Sequence, residues 1–521
     1  MGYGGVLRTL AVDSLRGGMH VAWRSSPDPY PEVSLPRRSP TVTIIGAGFG
    51  GIGMAVRLIR AGIGDVTILE RADRVGGVWA ANSYPGAACD IPASLYSFSF
   101  APKSDWTRRY PPQSEIRDYL EDVAERFGVL PRIRFGVEVT DARFDDARGT
   151  WVLALADGST QETEVLITAC GQLSRPAVPP LPGLGDFAGT TFHSATWQHD
   201  HELAGRRVAV VGTGASAIQF VPHVVAQAAH TTLFQVDAPH IIPKPDRPYG
   251  DRLRAAFRRV PGLLRLNRAV TYLQYELRAV GFTRWPGLLQ LVDRQAKAHL
   301  RRQVRAPELR AALEPQGAPG CKRILLSNDY YPALARPSVD VVTAPITRVL
   351  PDGLLTGDGT THPVDTIIWG TGFRATDFLT PMSVTGPGGR DLREAWAGGA
   401  EAYLGITVAG FPNLFLLYGP NTNLGHNSIV YMLESQIRYV VQAVRRLAAG
   451  AGTVTVKPEV QRRYNDWVQQ RITATVFDRG CTSWYRTPSG RNTTNWPDFT
   501  FMYRARTRRF DEADYELTGA A

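Results

Sequence analysis

A chain of 521 residues that is 44% hydrophobic and 20% charged has the composition of a folded globular protein, and its length points to roughly two to four domains. No uninterrupted apolar run approaches the roughly 18–20 residues of a bilayer-spanning helix, so no membrane span is expected; the nearest, TVTIIGAGFGGIGMAV, is broken by glycines and ends at Arg57. The net charge of +10 reads as spread along the chain without aromatic-interleaved basic patches, which excludes nucleic acid as a partner, and the four cysteines (Cys89, Cys170, Cys321, Cys481) lack CxxC or metal spacing, which fits a reducing cytoplasm without disulfides or a metal.

Residues 1–38 lack a continuous apolar signal core and read as an N-terminal extension, with Met19 as an alternative start. TVTIIGAGFGGIGMAVRLIRAG then reads as an apolar strand, a tight turn and a helix: Gly46 permits the turn, Gly48 lets backbone approach a pyrophosphate, and Gly51 lets the helix pack on the strand. The next strand, DVTILE, ends in Glu70, where a carboxylate grips ribose hydroxyls. RRVAVVGTGASAIQFVPHVV repeats the pattern with Gly212, Gly214 and Ala217, and its second strand, TTLFQVD, ends in Asp237. Two such loops imply two nucleotides exchanging electrons, a flavin and a nicotinamide.

Residues of about 248–316 read as mostly helical, and the basic tract RRQVRAPELR reads as a solvated helix face. PVDTIIWGTGFRATDF (363–378) resembles the returning strand and glycine-rich turn with which flavoproteins that bind two dinucleotides close their FAD domain. The fold expected is therefore α/β with two Rossmann-like, three-layer domains, the nicotinamide domain with a helical insertion lying inside a split FAD domain. The boundaries are 39–186 for the first FAD part, 187–344 for the nicotinamide domain, and 345–521 for the second FAD part with a C-terminal substrate-pocket segment.

FAGTTFHSATW (187–197) resembles the FxGxxxHxxxW fingerprint of type I Baeyer–Villiger monooxygenases, although Gln198 departs from the usual Pro or Asp that follows. GGVWAANSYPGAACD carries a second signature in Gly76, Gly77, Trp79, Tyr84, Pro85, Gly86 and Asp90, and GCKRILLSNDYYP resembles the segment bearing the family's active-site arginine. The resemblance runs from about residue 40 to residue 500. It implies an enzyme that inserts one oxygen atom of O2 beside a ketone carbonyl to give an ester or lactone, through a C4a-peroxyflavin and a tetrahedral peroxy adduct. An N- or S-oxygenating flavin monooxygenase is the alternative; a flavin disulfide reductase needs a redox cysteine pair that Cys89 lacks, and a non-catalytic FAD protein is more remote.

The same resemblance implies catalytic roles for Arg323 and Asp90, the arginine as a permanent cation that stabilises an oxyanion. It implies FAD contacts from Gly46, Gly48, Gly51, Glu70, Gly77, Val78, Trp79, Asp90, Tyr96, Val139, Thr371 and Gly372. For NAD(P)H it implies Gly212, Thr213, Gly214, Ala215, Ser216, Ala217, Asp237, Lys322 and Arg323. Phe187, Gly189, His193 and Trp197 would couple the domains, with Gly189 bending the chain, Phe187 and Trp197 wedged between domains, and His193 hydrogen-bonding across the crossing. Trp484 and Tyr485 are candidate walls of the ketone pocket.

One position breaks the pattern. Val236 stands where family members carry the arginine that holds the 2′-phosphate of NADPH, and Asp237 beside it favours a free 2′-hydroxyl. Lys322 survives as a phosphate contact, with Lys244 and Arg247 in reach, so NADPH is expected and NADH stays open.

Overall fold

The computed structural model describes residues 39–479 and 484–519; the N-terminal extension, Met19 and Cys481 lie outside the described residues. Val42–Ile45 (β1) leads through the first glycine loop into Phe49–Arg60 (α1) and on to Val66–Glu70 (β2). Gln113–Arg126 (α2) precedes Ile133–Phe135 (β3). Val139–Asp145 (β4), Thr150–Leu155 (β5) and Thr160–Thr163 (β6) form an antiparallel meander, and Val165–Thr168 (β7) returns to the first sheet.

Thr190–His193 (β8), Arg207–Val211 (β9), Ala217–Gln227 (α3) and His230–Phe234 (β10) carry the second glycine loop between β9 and α3. The helical insertion follows as Asp251–Arg259 (α4), Leu263–Thr283 (α5), Gln290–Gln303 (α6) and Pro307–Ala312 (α7). Val339–Val342 (β11), Thr366–Trp369 (β12), Leu414–Leu416 (β13) and Ile429–Ala448 (α8) complete the elements that matter for the site.

Two five-stranded sheets result, in the orders β13-β7-β1-β2-β3 and β11-β10-β9-β12-β8. Every pairing in both is parallel, with Val42 opposite Val66 and Val165 in the first, and Val208 opposite Thr231 and Thr366 in the second. Strands covered on both faces must be apolar throughout, and Val208, Ala209, Val210, Ile367 and Ile368 are fully buried. The order in each sheet reverses beside the strand that precedes the glycine loop, so both loops open at a crevice outside the carboxyl ends of the strands.

The structure corrects four expectations. The strand within 363–378 closes the second sheet, not the first: Thr366–Trp369 pairs with β9 and β8, and the strand that returns to the first sheet is β13, in PNLFLLYG. The boundary placed at residue 345 therefore falls too early. RRQVRAPELR is not one helix: α6 ends at Gln303, Val304 is buried and extended, and α7 begins at Pro307, whose ring disfavours helix in the preceding residue. Cys321 is disulfide-bonded, against the expected absence of disulfides, because spacing along a chain does not report distance in space; Cys89 and Cys170 are free.

The helical insertion, expected over about 248–316, is present, and it packs outside its own sheet. Tyr275 of α5 lies in the core beneath the first sheet, its hydroxyl 3.0 Å from that of Tyr110. Glu276, also buried, accepts from Asn427 at 2.6 Å, Thr500 at 2.7 Å and the Phe501 amide at 3.2 Å, which ties α5 to the C-terminal segment. No described helix is long and apolar enough to cross a membrane. Glu276→Ala strands two buried donors, on Asn427 and Thr500, at about 1–3 kcal/mol each, and the part-buried Phe501 amide; the expected result is a lower thermal midpoint with α5 detached first, read by hydrogen exchange, and an unchanged midpoint would show that packing alone holds α5.

Candidate active site

The two glycine loops are built alike. Gly46 has φ +104°, and a Cβ there would stand 2.7 Å from the carbonyl of Ala169, in the turn that follows β7. Gly212 has φ +105°, and its Cβ would stand 2.5 Å from the carbonyl of Gly370, in the turn that follows β12. Side chains are thus excluded where backbone must pass closest. Gly48 caps α1 and Ser216 caps α3 without side-chain hydrogen bonds, and since the amides of Ile218 and Gln219 already donate to Gly214 and Ser216, the donors that α3 offers an anion are those ahead of Ile218. Gly48 and Gly77 face each other so closely that a Cβ on Gly77 would stand 3.1 Å from the Gly48 Cα, which keeps a side-chain-free slot beside the first loop.

The same symmetry shows where two residues expected to touch FAD stand. Thr371 and Gly372 belong to the turn against the second loop, and their counterpart beside the first loop is Ala169–Cys170–Gly171. Those residues, and Gln172, which donates to the carbonyls of Tyr418 and Gly419, were missed because no sequence signal distinguishes TACGQ from WGTGF.

Glu70 ends β2 buried, accepting from the Ala47 amide at 2.7 Å and the Ala72 amide at 2.9 Å, so the carboxylate is fixed at the loop. Val78 and Trp79 follow Gly77 in a short helical turn, and the Trp79 indole donates to Tyr96 at 3.2 Å. Val139 is buried at the start of β4, in the core between the first sheet and the meander. In the second loop the Thr213 hydroxyl donates to the carbonyl of Asp237 at 3.2 Å, while Gly214, Ala215 and Ser216 turn into α3 at Ala217.

Arg323 and Asp90 meet side-on. Nε donates to one carboxylate oxygen and Nη2 to the other, both at 2.8 Å, with the two side chains 30% and 28% exposed. The neighbouring carboxylate raises Arg323 further above its ordinary range, so it is a cation at any working pH. Around it, burial raises the Tyr418 phenol and pushes Tyr485 up to about 12, while the Arg323 charge acts in the opposite sense on both. Tyr485 is buried as a wall residue requires; Trp484 is 40% exposed with its ring 4.3 Å from that of Tyr485. Burial also raises the Cys89 thiol, which leaves it neutral and unsuited to thiol exchange.

At the strand end, Val236 is 80% exposed and Asp237 pairs with the Lys322 ammonium at 2.6 Å. Lys244 is turned elsewhere, its ammonium 5.5 Å over the Tyr110 ring, and the Arg247 carbonyl accepts from the Arg109 amide.

The fingerprint at 187–197 forms β8 and the turn after it. Phe187 packs in the core of the second sheet and Trp197 against Phe192 and Phe220, so neither is wedged between sheets. The link is one ring removed: Tyr84, of the Tyr-Pro-Gly segment, stands against the same Phe220 at 5.9 Å. Gly189 is required by proximity, since its Cβ would stand 2.4 Å from the Asp365 carbonyl. His193 accepts locally from the Ala195 amide through Nδ1, and its ring also faces the backbone of Gly372 on the returning strand, whose polar contact opposes the effect of burial. Its ring lies 5.6 Å from Phe373, and burial lowers its pKa. Phe373 in turn bridges to Pro176, where the two strands that connect the sheets run side by side: the Ala177 amide donates to Gly372 at 2.9 Å, the Arg374 amide to Arg175 at 3.0 Å, and Arg175 pairs with Asp377 at 3.0 Å.

Gln219 of α3, not foreseen, joins the two halves. Its Oε1 accepts from the Tyr84 hydroxyl at 3.1 Å and the Ala88 amide at 3.3 Å, and its Nε2 donates to the Ala88 carbonyl at 2.9 Å.

Residues 43–247 match the family model described as pyridine nucleotide-disulphide oxidoreductase. Baeyer–Villiger monooxygenases of Streptomyces coelicolor and Pseudomonas aeruginosa are each 46% identical to the chain, over 91% of it and 92% of the first and over 92% of it and 91% of the second. An FAD-binding monooxygenase of Aspergillus niger is 39% identical over 92% of the chain and 82% of its own. Among solved structures, a closed cyclohexanone monooxygenase superposes with TM-score 0.82 at 27% identity, and an oxidized steroid monooxygenase bound to NADP with 0.82 at 30%, each covering 92% of this chain and 99% of its own.

Gln219→Ala should speed amide exchange across Tyr84–Asp90 while leaving β9 protected; unchanged exchange would show that the Tyr-Pro-Gly turn holds itself without α3.

Proposed function

The chain belongs to the Baeyer–Villiger monooxygenase family, and we propose that it uses FAD and NADPH to insert one oxygen atom of O2 beside the carbonyl of a ketone, giving an ester or lactone. The observation that carries this reading is the side-on Arg323–Asp90 pair, which joins a segment beside the first nucleotide cradle to a segment that follows the second.

The residues fit both cofactors: two uncapped helix starts for the pyrophosphates and a fixed carboxylate, Glu70, for a ribose. The Gly46–Gly51 loop, Gly77, Val78, Trp79 and Tyr96 would hold FAD, and Gly212–Ala217 with Asp237 and Lys322 the nicotinamide dinucleotide. Bound FAD, reduced by the nicotinamide, supplies the oxygen activation that no side chain can. Asp90 holds Arg323 through Nε and Nη2, which turns the Nη1 donors outward toward an oxyanion forming at the substrate carbonyl. The neutral phenols of Tyr485, fully buried, and Tyr418, partly buried, flank this charge. His193, against Phe373 at the paired connections, keeps the domain-coupling role.

The sheet memberships support a flavin domain from residues 39–175 and 377–519 and a nicotinamide domain between them. The supply of reduced nicotinamide in the cytoplasm supports that compartment. Steady NADPH oxidation against a panel of ketones, with product mass showing one added oxygen, tests the reading; products only from amines or thioethers would overturn it.

Arg323→Ala should retain FAD and lose about 100- to 1000-fold in the rate of ester formation, the usual effect of removing a preorganised oxyanion donor. Near-normal ester yield would remove Arg323 from the mechanism. Val236→Arg with Asp237→Ser frees Lys322 and adds a cation, so the NADPH/NADH ratio of kcat/KM should increase by at least about tenfold, one charge-assisted contact. A ratio that does not move would mean that this strand end does not touch the 2′ position.

A further inference from the structure

Helix α5 is built inside out. Its inner face carries Thr271, Tyr275 and Ala279, all buried. The opposite face, where a surface helix carries charged residues, presents Leu266, Val270, Leu273 and Leu277. Steps of four, three and four residues place these side chains within an arc of about 60°. Trp285 and Leu291 continue the exposure beyond the helix end. Eight of the fourteen large hydrophobic residues exposed among the described residues fall within Val260–Leu291, each 46–68% exposed. No catalytic or nucleotide-binding residue lies among them.

Charge singles out the same region. Residues 251–303 contain twelve Lys or Arg against three Asp or Glu, a net +9 out of the chain's +10. The charge is therefore concentrated, against the reading that it is spread along the chain. Arg258 and Arg259, exposed at the end of α4, adjoin Val260 at one end of the apolar arc, and Arg278, next to Leu277, lies with its guanidinium 3.9 Å over the Tyr275 ring. Of the three carboxylates, Glu276 is buried and hydrogen-bonded and Asp293 is paired with His240 and Lys297.

An apolar strip bordered by arginines, with a tryptophan at its end, matches a bilayer boundary: the apolar side chains enter the acyl edge and the guanidinium groups meet anionic headgroups. A second copy of this chain fits it poorly, because a two-fold pairing would press the same cation-rich helices together. We infer that the outer face of α5, with Trp285, docks the enzyme on the surface of an anionic phospholipid bilayer. The inner face of that helix packs toward the core that contains Phe477 and Tyr485, near Arg323, through Phe282. The docked enzyme thus presents its substrate side to the phase in which apolar ketones dissolve. The docking stands without the ketone reading; only this last consequence rests on it.

The test is co-sedimentation of the full-length holoenzyme with vesicles of phosphatidylcholine alone or mixed with phosphatidylglycerol, alongside light scattering after gel filtration. The expected result is binding to the mixed vesicles that weakens with salt and falls by roughly tenfold or more in Leu273→Ser/Leu277→Ser/Trp285→Ser and in Arg258→Glu/Arg259→Glu. Flavin content, thermal midpoint and molecular mass should be unchanged in both variants. The single variant Leu277→Glu repeats the test with least perturbation. Protein that stays in the supernatant with mixed vesicles overturns the inference, as does a triple variant that still sediments. A fall in molecular mass in the triple variant also overturns it, since a second copy would then be the occupant. Vesicle binding needs no turnover, so failure here is distinct from failure of the ketone reaction.

Discussion

The side-on ion pair between Arg323 and Asp90 is the contact on which the site depends, because it fixes a cation of the nicotinamide half against a carboxylate of the flavin half. Its value is positional more than energetic. Both partners are nearly a third exposed, so water and salt screen the attraction, and exposed pairs contribute about 0–1 kcal/mol. A planar fork held at two nitrogens nevertheless has one direction left for its remaining donors, which is what an oxyanion needs. Each half of the protein must therefore be placed against the other to within hydrogen-bond tolerance.

That placement is set in part by the covalent path. The chain crosses from the flavin sheet to the nicotinamide sheet near residue 176 and returns near residue 374, and the two crossings are hydrogen-bonded to each other. Two strands bonded side by side bend together, so relative motion of the halves is confined to few directions. His193 sits against the returning strand, its ring 5.6 Å from Phe373 and facing the Gly372 backbone. Gln219, carried by α3 and bonded to Tyr84 and Ala88, holds the two halves in the arrangement seen.

Much of this was legible in the sequence because it is local. A glycine that must adopt positive φ or admit a carbonyl within contact distance leaves its mark whatever the rest of the chain does, so Gly46, Gly51 and Gly212, with Glu70 at its strand end, could be read directly. What failed was assignment over long range. The strands at 366–369 and 414–416 are both short, apolar and followed by a glycine-containing turn, and only the crossover between sheets decides which sheet each joins. Reading the first as the flavin strand misplaced Thr371 and Gly372 and hid Ala169–Gly171. Trp197 meets the flavin half through a shared cluster: it and Tyr84 both pack on Phe220, a residue of another motif that sequence spacing does not point to.

The least local feature is the strand end at Asp237. In sequence, Asp237 and Lys322 read as opposing votes on the 2′ position of the nucleotide, but the structure makes them partners at 2.6 Å. Lys322 therefore meets a phosphate only by sharing or leaving a carboxylate, and Asp237 repels that phosphate less than a bare carboxylate would. The two effects partly cancel. A pair in which both members are about half exposed is weak, whereas a charge-assisted hydrogen bond to a phosphate is worth about 1.5–3 kcal/mol. The phosphate wins that competition by a narrower margin than an unopposed arginine at position 236 would give. Under the proposed placement of the nicotinamide dinucleotide, discrimination between the two cofactors is governed by an ion pair within the protein, and it weakens as salt screens the remaining lysine contact.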